Sequence, residues 1–159
     1  MAKQFTSWVP GYAAIAQGMG PGTLDWAGEH FTDVTGVRTG YGATFRLEGG
    51  KQDWFHIPIP TPVIIEDQHA TLVKVMVLFA LPDGAAITDV NIWDGPNRIE
   101  IQHPNVTGDR AAGVGSENTF DLNPPVAVHF GVGISLLVEN ETDSDADVYF
   151  AGAGGEFSY

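Results

Sequence analysis

The chain has 159 residues, of which 20 are acidic and 7 are Lys or Arg, so that its formal net charge is −13. This charge opposes binding to nucleic acid and to anionic membrane surfaces, and we expect neither as a partner. The absence of cysteine excludes disulfides, thiolate nucleophiles and cysteine-ligated metal sites.

The start of the chain shows no targeting signal. Residues 1–5 lack the basic stretch and apolar run of a secretory signal, and no apolar run in the sequence reaches membrane-spanning length. We therefore expect a cytoplasmic protein, unless a leader peptide has been removed. A chain of this length usually has one hydrophobic core, and no linker interrupts it, which predicts a single domain over residues 1–159.

Short segments of alternating apolar and polar residues follow one another along the chain, with glycine and proline between them. The pattern predicts strands over 4–9, 41–47, 53–59, 63–66, 71–81, 86–93, 98–102, 119–122, 126–138 and 146–151. It is clearest over 126–138, where every second residue from Val126 to Val138 is apolar. Helix signals are limited to about one turn near residues 12–17.

The last part of the chain has two polar or flexible segments. Residues 139–145 have the composition of a hairpin turn, which predicts that the strands on either side of them pair. The glycine-rich residues 152–159 are expected to form a flexible end that carries two aromatic side chains, Phe157 and Tyr159.

Many short strands with almost no helix are typical of two packed antiparallel sheets. We therefore predict an all-β protein, an antiparallel β-sandwich of the jelly-roll kind, with a closed barrel as the alternative.

The aromatic side chains suggest a ligand-binding surface. Four tryptophans and four tyrosines are enough to build a platform for a sugar ring or another flat apolar ligand. Trp93, Asp94 and Arg98 lie around a predicted turn and offer a ring, a carboxylate and a guanidinium, the mixture that a polyol-binding loop uses. These three residues and Trp54 are the candidate ligand-binding set. The alternative is a tight turn whose tryptophan packs in the core.

Three alternating carboxylates near the end of the chain suggest a calcium site. Asp143, Asp145 and Asp147 could supply oxygen ligands to calcium. The glycine and glutamate of an EF-hand loop are missing, since Val148 and Gly154 occupy those positions. Two interpretations remain, a calcium site and an acidic turn; we predict no other cofactor.

The five histidines are the candidates for acid–base catalysis or metal binding. Asp53 lies three positions before His56, and Glu66 lies three positions before His69. This spacing places two side chains on the same face of a helix but on opposite faces of a strand. The sequence contains no His-x-His pair, so no closely spaced pair of histidine ligands lies on one strand face. An enzyme would need residues from separate strands, and the candidates are His56, His69, His103, His129, Glu66 and Asp67.

Catalytic motifs with a recognisable local context are absent from the sequence. We find no serine-hydrolase elbow, phosphate loop or dinucleotide fingerprint. The leading hypothesis is therefore a non-catalytic binding or assembly domain, which associates with copies of itself or with a partner through an aromatic, glycine-lined surface. A module for carbohydrate or another small ligand is the second hypothesis, and an enzyme is the third.

Overall fold

The computed structural model describes residues 3–18 and 34–159. Nearly all regular structure in these two ranges is strand, with two 3-10 helices of a single turn, Gly11–Ala13 and Ser116–Asn118. None of the described helices is long and apolar enough to cross a membrane. The strands are β1 (Gln4–Pro10), β2 (Ile15–Ala16), β3 (Thr35–Thr39), β4 (Gly42–Leu47), β5 (Gln52–Ile59), β6 (Ile64–Ile65), β7 (Gln68–His69), β8 (Thr71–Ala80), β9 (Ala85–Asp94), β10 (Asn97–Gln102), β11 (Thr119–Ala127), β12 (Val132–Asn140) and β13 (Ala146–Ser158).

The long strands form two antiparallel sheets. The first sheet has the order β11-β8-β13-β4-β3, and β1 pairs with β13 beyond the end of β4. The second sheet has the order β10-β9-β12-β5-β2, while β6 and β7 form a small hairpin of their own. The prediction of an all-β antiparallel fold is confirmed.

The strand order is that of a jelly roll. Strands β4, β13, β8 and β11 are neighbours in the first sheet, and β5, β12, β9 and β10 are neighbours in the second. Between β4 and β13 the chain crosses from one sheet to the other at almost every connection, which is the double Greek key of a jelly roll. The two sheets are separate in the described residues, so the sandwich rather than the closed barrel is correct.

The core lies between the sheets and takes its side chains from alternate strand positions. Phe45 on β4, Phe55 on β5 and Phe150 on β13 meet across the two sheets, with ring centroids 5.1 to 6.3 Å apart. All three are fully buried, and burial of each such side chain stabilises the fold by about 1.5–3 kcal/mol. The outward-facing residues of the same strands do not contribute to this core.

The prediction that residues 139–145 close a hairpin is wrong. β12 belongs to the second sheet and β13 to the first, so the chain crosses between sheets here. The amide of Asn140 organises the crossing, because its Nδ2 donates to the carbonyl oxygens of Leu47 and Ser144. Polar turn residues satisfy their backbone equally well in a hairpin and in such a crossing, so composition does not distinguish the two.

The predicted strand over 126–138 is two strands in different sheets. β11 ends at Ala127 and β12 begins at Val132. Phe130, which the alternation placed in the core, is 66% exposed. Val128 still fills the core from within the connecting loop, and the apolar alternation therefore continues through a change of sheet.

The glycine-rich end of the chain is ordered as a strand, and the prediction of a flexible end is wrong. β13 continues to Ser158 and lies between β8 and β1. Its glycines permit close packing: Trp8 of β1 lies against Gly154, where an added Cβ atom would be 2.7 Å from the indole Cδ2. Lys3 and Tyr159 extend the pairing with two backbone hydrogen bonds of 3.1 and 3.2 Å.

Candidate ligand-binding site

Alternate residues of β5, β12 and β9 build the outward face of the second sheet. One row of direct partners across these strands contains His56, Ser135 and Asn91. The next row contains Pro58, Gly133 and Trp93. The residues between the two rows, Ile57, Ile134 and Ile92, point into the core.

A depression of about 410 Å³ lies on this face. Its floor includes Gly133, where an added Cβ atom would meet no other atom within 4 Å. Trp93 and Pro58 flank the glycine on the neighbouring strands, and Ile15 of β2 also lines the depression. The missing side chain of Gly133 thus leaves an open space between apolar walls.

Four polar side chains form a hydrogen-bonded chain beside the depression. The Nδ1 atom of His56 is 2.8 Å from Ser135 Oγ, and its Nε2 atom is 2.8 Å from Gln17 Oε1. Trp93 Nε1 donates to Ser135 Oγ over 3.1 Å. Residues from β5, β9, β12 and the segment after β2 therefore meet at one point.

The chemistry of the side chains decides which atom donates and which accepts in these hydrogen bonds. Burial lowers the pKa of His56, which favours the neutral ring. A neutral imidazole donates through one nitrogen and accepts through the other. Because Gln17 Oε1 only accepts, Nε2 of His56 carries the proton, and Nδ1 accepts from the hydroxyl of Ser135.

Asn91 adds an unsatisfied acceptor next to Ser135. Its Oδ1 atom is buried and has no hydrogen-bond partner among the described residues. Leaving such an acceptor unpaired costs about 1–3 kcal/mol. A group that brought a donor to this atom would recover that free energy.

The structure brings two of the four predicted ligand-binding residues together. Arg98 pairs with Trp93 across the β9–β10 hairpin, and its Cζ atom is 6.0 Å from the indole centroid. Trp54 lies on the same outward face but pairs with Leu137, four positions along β12 from Gly133. Strand geometry separates the two tryptophans by roughly 15 Å or more, so Trp54 is not part of the depression.

Asp94, the fourth predicted ligand-binding residue, holds the loop between β11 and β12. Its carboxylate accepts the backbone N–H groups of His129, Phe130 and Gly131 at 2.8 to 2.9 Å. Burial alone would raise the pKa of Asp94, but these three donors outweigh it and keep the pKa below its ordinary value. Both oxygens already accept hydrogen bonds from the loop, so Asp94 is not among the proposed ligand contacts.

The three aspartates of the calcium prediction do not come together as a ligand set. Asp147 on β13 forms a bidentate pair with Arg46 at 2.9 and 3.1 Å, and this hydrogen bond lowers the pKa of Asp147. Asp143 and Asp145 are exposed in the preceding loop. No group of three or more His, Asp or Glu side chains in the described part of the chain is arranged to hold a metal ion.

The candidate catalytic histidines lie in different places. His56 faces the depression, and Nδ1 of His103 contacts the carboxylate of Asp89. His69 and His129 lie together near the β6–β7 hairpin, with ring centroids 4.4 Å apart.

The two candidate catalytic carboxylates lie near the same hairpin. Glu66 pairs with Lys3 at 2.7 Å, and Asp67 lies in the β6–β7 turn. Trp26 and His30 lie outside the described residues.

Comparison with known proteins places the chain in a family. A family model matches residues 23–158, which is most of the chain. The chain belongs to DUF6623, a family of unknown function. No curated protein matches the sequence of this DUF6623 member.

One solved structure with a similar arrangement is an exo-β-1,3-galactanase from Phanerochaete chrysosporium, crystallised with galactose. The identity is 12% and the TM-score is 0.41, over 98% of the DUF6623 chain. The DUF6623 chain spans 29% of the length of that enzyme.

Sequence reasoning missed most of the residues around the depression. His56 and Ser135 are 79 positions apart, and His56 and Gln17 are 39 apart, so no local motif joins them. One signal was present in the sequence: Gly131, Gly133 and Ser135 are all small and all lie on the polar side of the predicted 126–138 strand. A run of small residues on one strand face marks a place where something can approach the sheet closely.

Proposed function

We propose that this protein is a non-catalytic binding module and that its ligand is a carbohydrate or a similar small polyol. The observation that carries the proposal is the depression over Gly133, where an open floor lies beside a fixed tryptophan ring. Its volume of about 410 Å³ falls within the range of about 300–1,000 Å³ that is typical of small-molecule sites.

The walls of the depression suit the apolar face of a sugar ring. Trp93 is half-buried, and Ile15 is 50% exposed. The hydrogen bond to Ser135 and the guanidinium of Arg98 hold the indole of Trp93 in place. A ligand that stacks on this ring therefore does not have to order it first, which favours binding.

Polar groups near the depression suit the hydroxyl groups of the same ligand. The guanidinium of Arg98 offers N–H donors, and the amide of Gln17 offers two more beside His56. The net charge of −13 favours a neutral ligand over an anion.

The contact between Ser135 and His56 supports binding better than nucleophilic catalysis. Trp93 donates a hydrogen bond to Ser135 Oγ, which occupies one of the two lone pairs of this oxygen and makes it a weaker nucleophile. The ring nitrogen of His56 that does not contact Ser135 faces the amide of Gln17, whereas in a Ser-His-Asp triad the corresponding ring nitrogen faces a carboxylate that stabilises the imidazolium. The network is therefore better suited to fix Trp93 than to activate Ser135.

Self-association through the same face is the second candidate function. Phe130 is 66% exposed and lies over Gly95, which lines the depression, while Ile15 contributes a further exposed apolar side chain. Exposed aromatic side chains are enriched in the centres of protein interfaces. A second copy of the chain is the partner that this candidate predicts.

Saturation-transfer NMR and calorimetry with neutral mono- and oligosaccharides test the first candidate. We expect at least one saccharide to bind and Trp93→Ala to weaken it about tenfold or more, because aromatic anchors at binding sites contribute about 2 kcal/mol or more. Gly133→Val should abolish binding while the protein still folds, because the new side chain enters open space on a strand.

Trp54→Phe is the matched control, since it changes a tryptophan of the same face outside the depression. It should leave saccharide binding unchanged. Light scattering of the unliganded protein separates the two candidates. If no saccharide binds, but the protein forms a dimer that Trp93→Ala dissociates, then self-association replaces saccharide binding as the proposed function. A monomer that binds no saccharide contradicts both.

A further inference from the structure

A pair of histidines lies outside the depression, where the β6–β7 hairpin meets the loop between β11 and β12. His69 is the last residue of β7, and His129 lies in the loop. The two ring centroids are 4.4 Å apart, with an interplanar angle of 58°. Both side chains are exposed.

The backbone on both sides of the pair is held in place. The N–H group of Val128 donates to the carbonyl of Ala70 over 2.9 Å, which ties the hairpin to the loop. The N–H group of His129 donates to the carboxylate of Asp94 over 2.8 Å. The two imidazoles therefore start from adjacent anchored positions, and a ligand does not have to bring them together.

The hydrogen bond of His69 decides which of its nitrogens is available. His69 Nδ1 is 3.0 Å from the carbonyl oxygen of Val128. A carbonyl oxygen can only accept, so Nδ1 carries the proton, and Nε2 of the neutral ring presents a lone pair. Metal-binding histidines very commonly donate their second ring N–H to a carbonyl or a carboxylate in this way.

The spacing of the rings also fits a shared metal ion. Two imidazoles bound to one ion through nitrogen–metal bonds of about 2.0–2.1 Å have ring centroids roughly 5 Å apart. The observed separation of 4.4 Å is close to that distance. Imidazole is a good ligand for Zn²⁺, Cu²⁺ and Ni²⁺ and a poor one for Ca²⁺.

We infer that His69 and His129 form a two-histidine site for a divalent transition-metal ion such as Zn²⁺ or Cu²⁺. Water completes the coordination, because the described residues contain no group of three or more His, Asp or Glu side chains arranged around a metal ion. The ion joins the β6–β7 hairpin to the β11–β12 loop and stabilises the folded protein by binding to it.

Calorimetric titration of the metal-stripped full-length protein with ZnCl₂, and separately with CuCl₂, tests the site. We expect one ion per chain, a rise in the melting temperature, and perturbation of the imidazole NMR signals of His69 and His129 alone. Loss of a residue that only hydrogen-bonds to a metal ligand weakens metal binding about 10- to 100-fold. His69→Gln and His129→Gln each remove a direct ligand, so each should weaken binding by more than this. CaCl₂ at equal concentration should not compete.

His103→Gln is the matched control, because His103 is also exposed but pairs with Asp89 elsewhere on the surface. It should bind zinc like the unaltered protein. Circular dichroism verifies that each variant is folded. The inference is wrong if the unaltered protein binds neither ion, if both single variants keep full affinity, or if His103→Gln loses as much affinity as they do. None of these results depends on whether a saccharide binds.

Discussion

A buried carboxyl group closes one end of the inward face of β5. Asp53 is fully buried, and its carboxylate accepts the backbone N–H groups of Gly18 and Trp54. Burial raises the pKa of Asp53 to about 6, although the two N–H groups act in the opposite direction. The protonated acid keeps a carbonyl oxygen for these donors and avoids the cost of a buried charge.

The raised pKa of Asp53 makes stability depend on pH. Between its ordinary pKa of 3.8 and the folded-state value of about 6, the folded protein binds this proton more tightly than the unfolded chain does. The free energy of unfolding should therefore fall as the pH rises through this window, by about 3 kcal/mol in total at 1.36 kcal/mol per pKa unit. Urea denaturation at pH values from 4 to 7 measures the change.

Asp53→Asn should remove this contribution, because the amide keeps an acceptor and has no charge to bury. Asp145→Asn is the control, since Asp145 is exposed and the same charge is removed. If both variants change the pH profile equally, the slope comes from the general negative charge rather than from Asp53.

Asp94 is a second carboxylate whose role is structural, and its removal should be costly. Asp94→Ala leaves three backbone N–H groups of the β11–β12 loop without their acceptor. We expect a loss of at least about 2 kcal/mol in the free energy of unfolding, and a smaller loss for Asp94→Asn, which keeps one acceptor oxygen. Urea denaturation of the two variants, with the exposed Asp121→Ala as control, provides the measurement. A loss for Asp94→Ala no larger than that of the control would contradict this role.

At the scale of the strand, two glycines on outward sheet faces have opposite surroundings. Gly154 of β13 lies under Trp8, and an added Cβ atom would also be 2.9 Å from the carbonyl oxygen of Ser7. Gly133 of β12 has open space above it. The first glycine permits β1 to pack on β13, whereas the second shapes the depression.

Alanine at these two positions should therefore have opposite effects on stability. Gly154→Ala requires β1 or the Trp8 ring to move, and we expect the melting temperature to fall. Gly133→Ala creates no contact within 4 Å and should raise stability by about 0.5–1 kcal/mol, the usual cost of glycine within a strand. Thermal denaturation followed by circular dichroism compares the two variants. A fall for both, or for neither, would contradict the packing described here.

The individual strands were largely predictable because alternation of apolar residues reports directly on which face is buried. The predicted strand 71–81 is β8, but its pairing with β13 is irregular and skips Val73. As a result Leu72, and not Val73, points into the core. A bulge of this kind depends on the partner strand. The alternation along β8 alone therefore does not reveal it.

At the scale of the whole molecule, the fold class was predictable and the strand partners were not. Residues 139–145 have the same polar composition whether they join paired strands or cross between sheets, and only the packing of the whole sandwich decides. The proximity of Trp93 and Arg98 was predictable because a short turn brings them together. His56, Ser135 and Gln17 come from distant parts of the chain, and their meeting depends on the register of two strand pairs, β5 with β12 and β2 with β5.

The pairing of Lys3 with Tyr159 determines where a linker or fusion partner can be attached relative to the depression. Lys3 and Tyr159 lie side by side at the end of the β1–β13 pair, so a short linker between these two residues, with new ends opened in an exposed loop, would leave the strand order unchanged. The depression lies on the outward face of the second sheet, and the outward faces of a sandwich point in opposite directions. A tether or fusion partner attached at Lys3 or Tyr159 would therefore be bound to the sheet that does not carry the proposed ligand site.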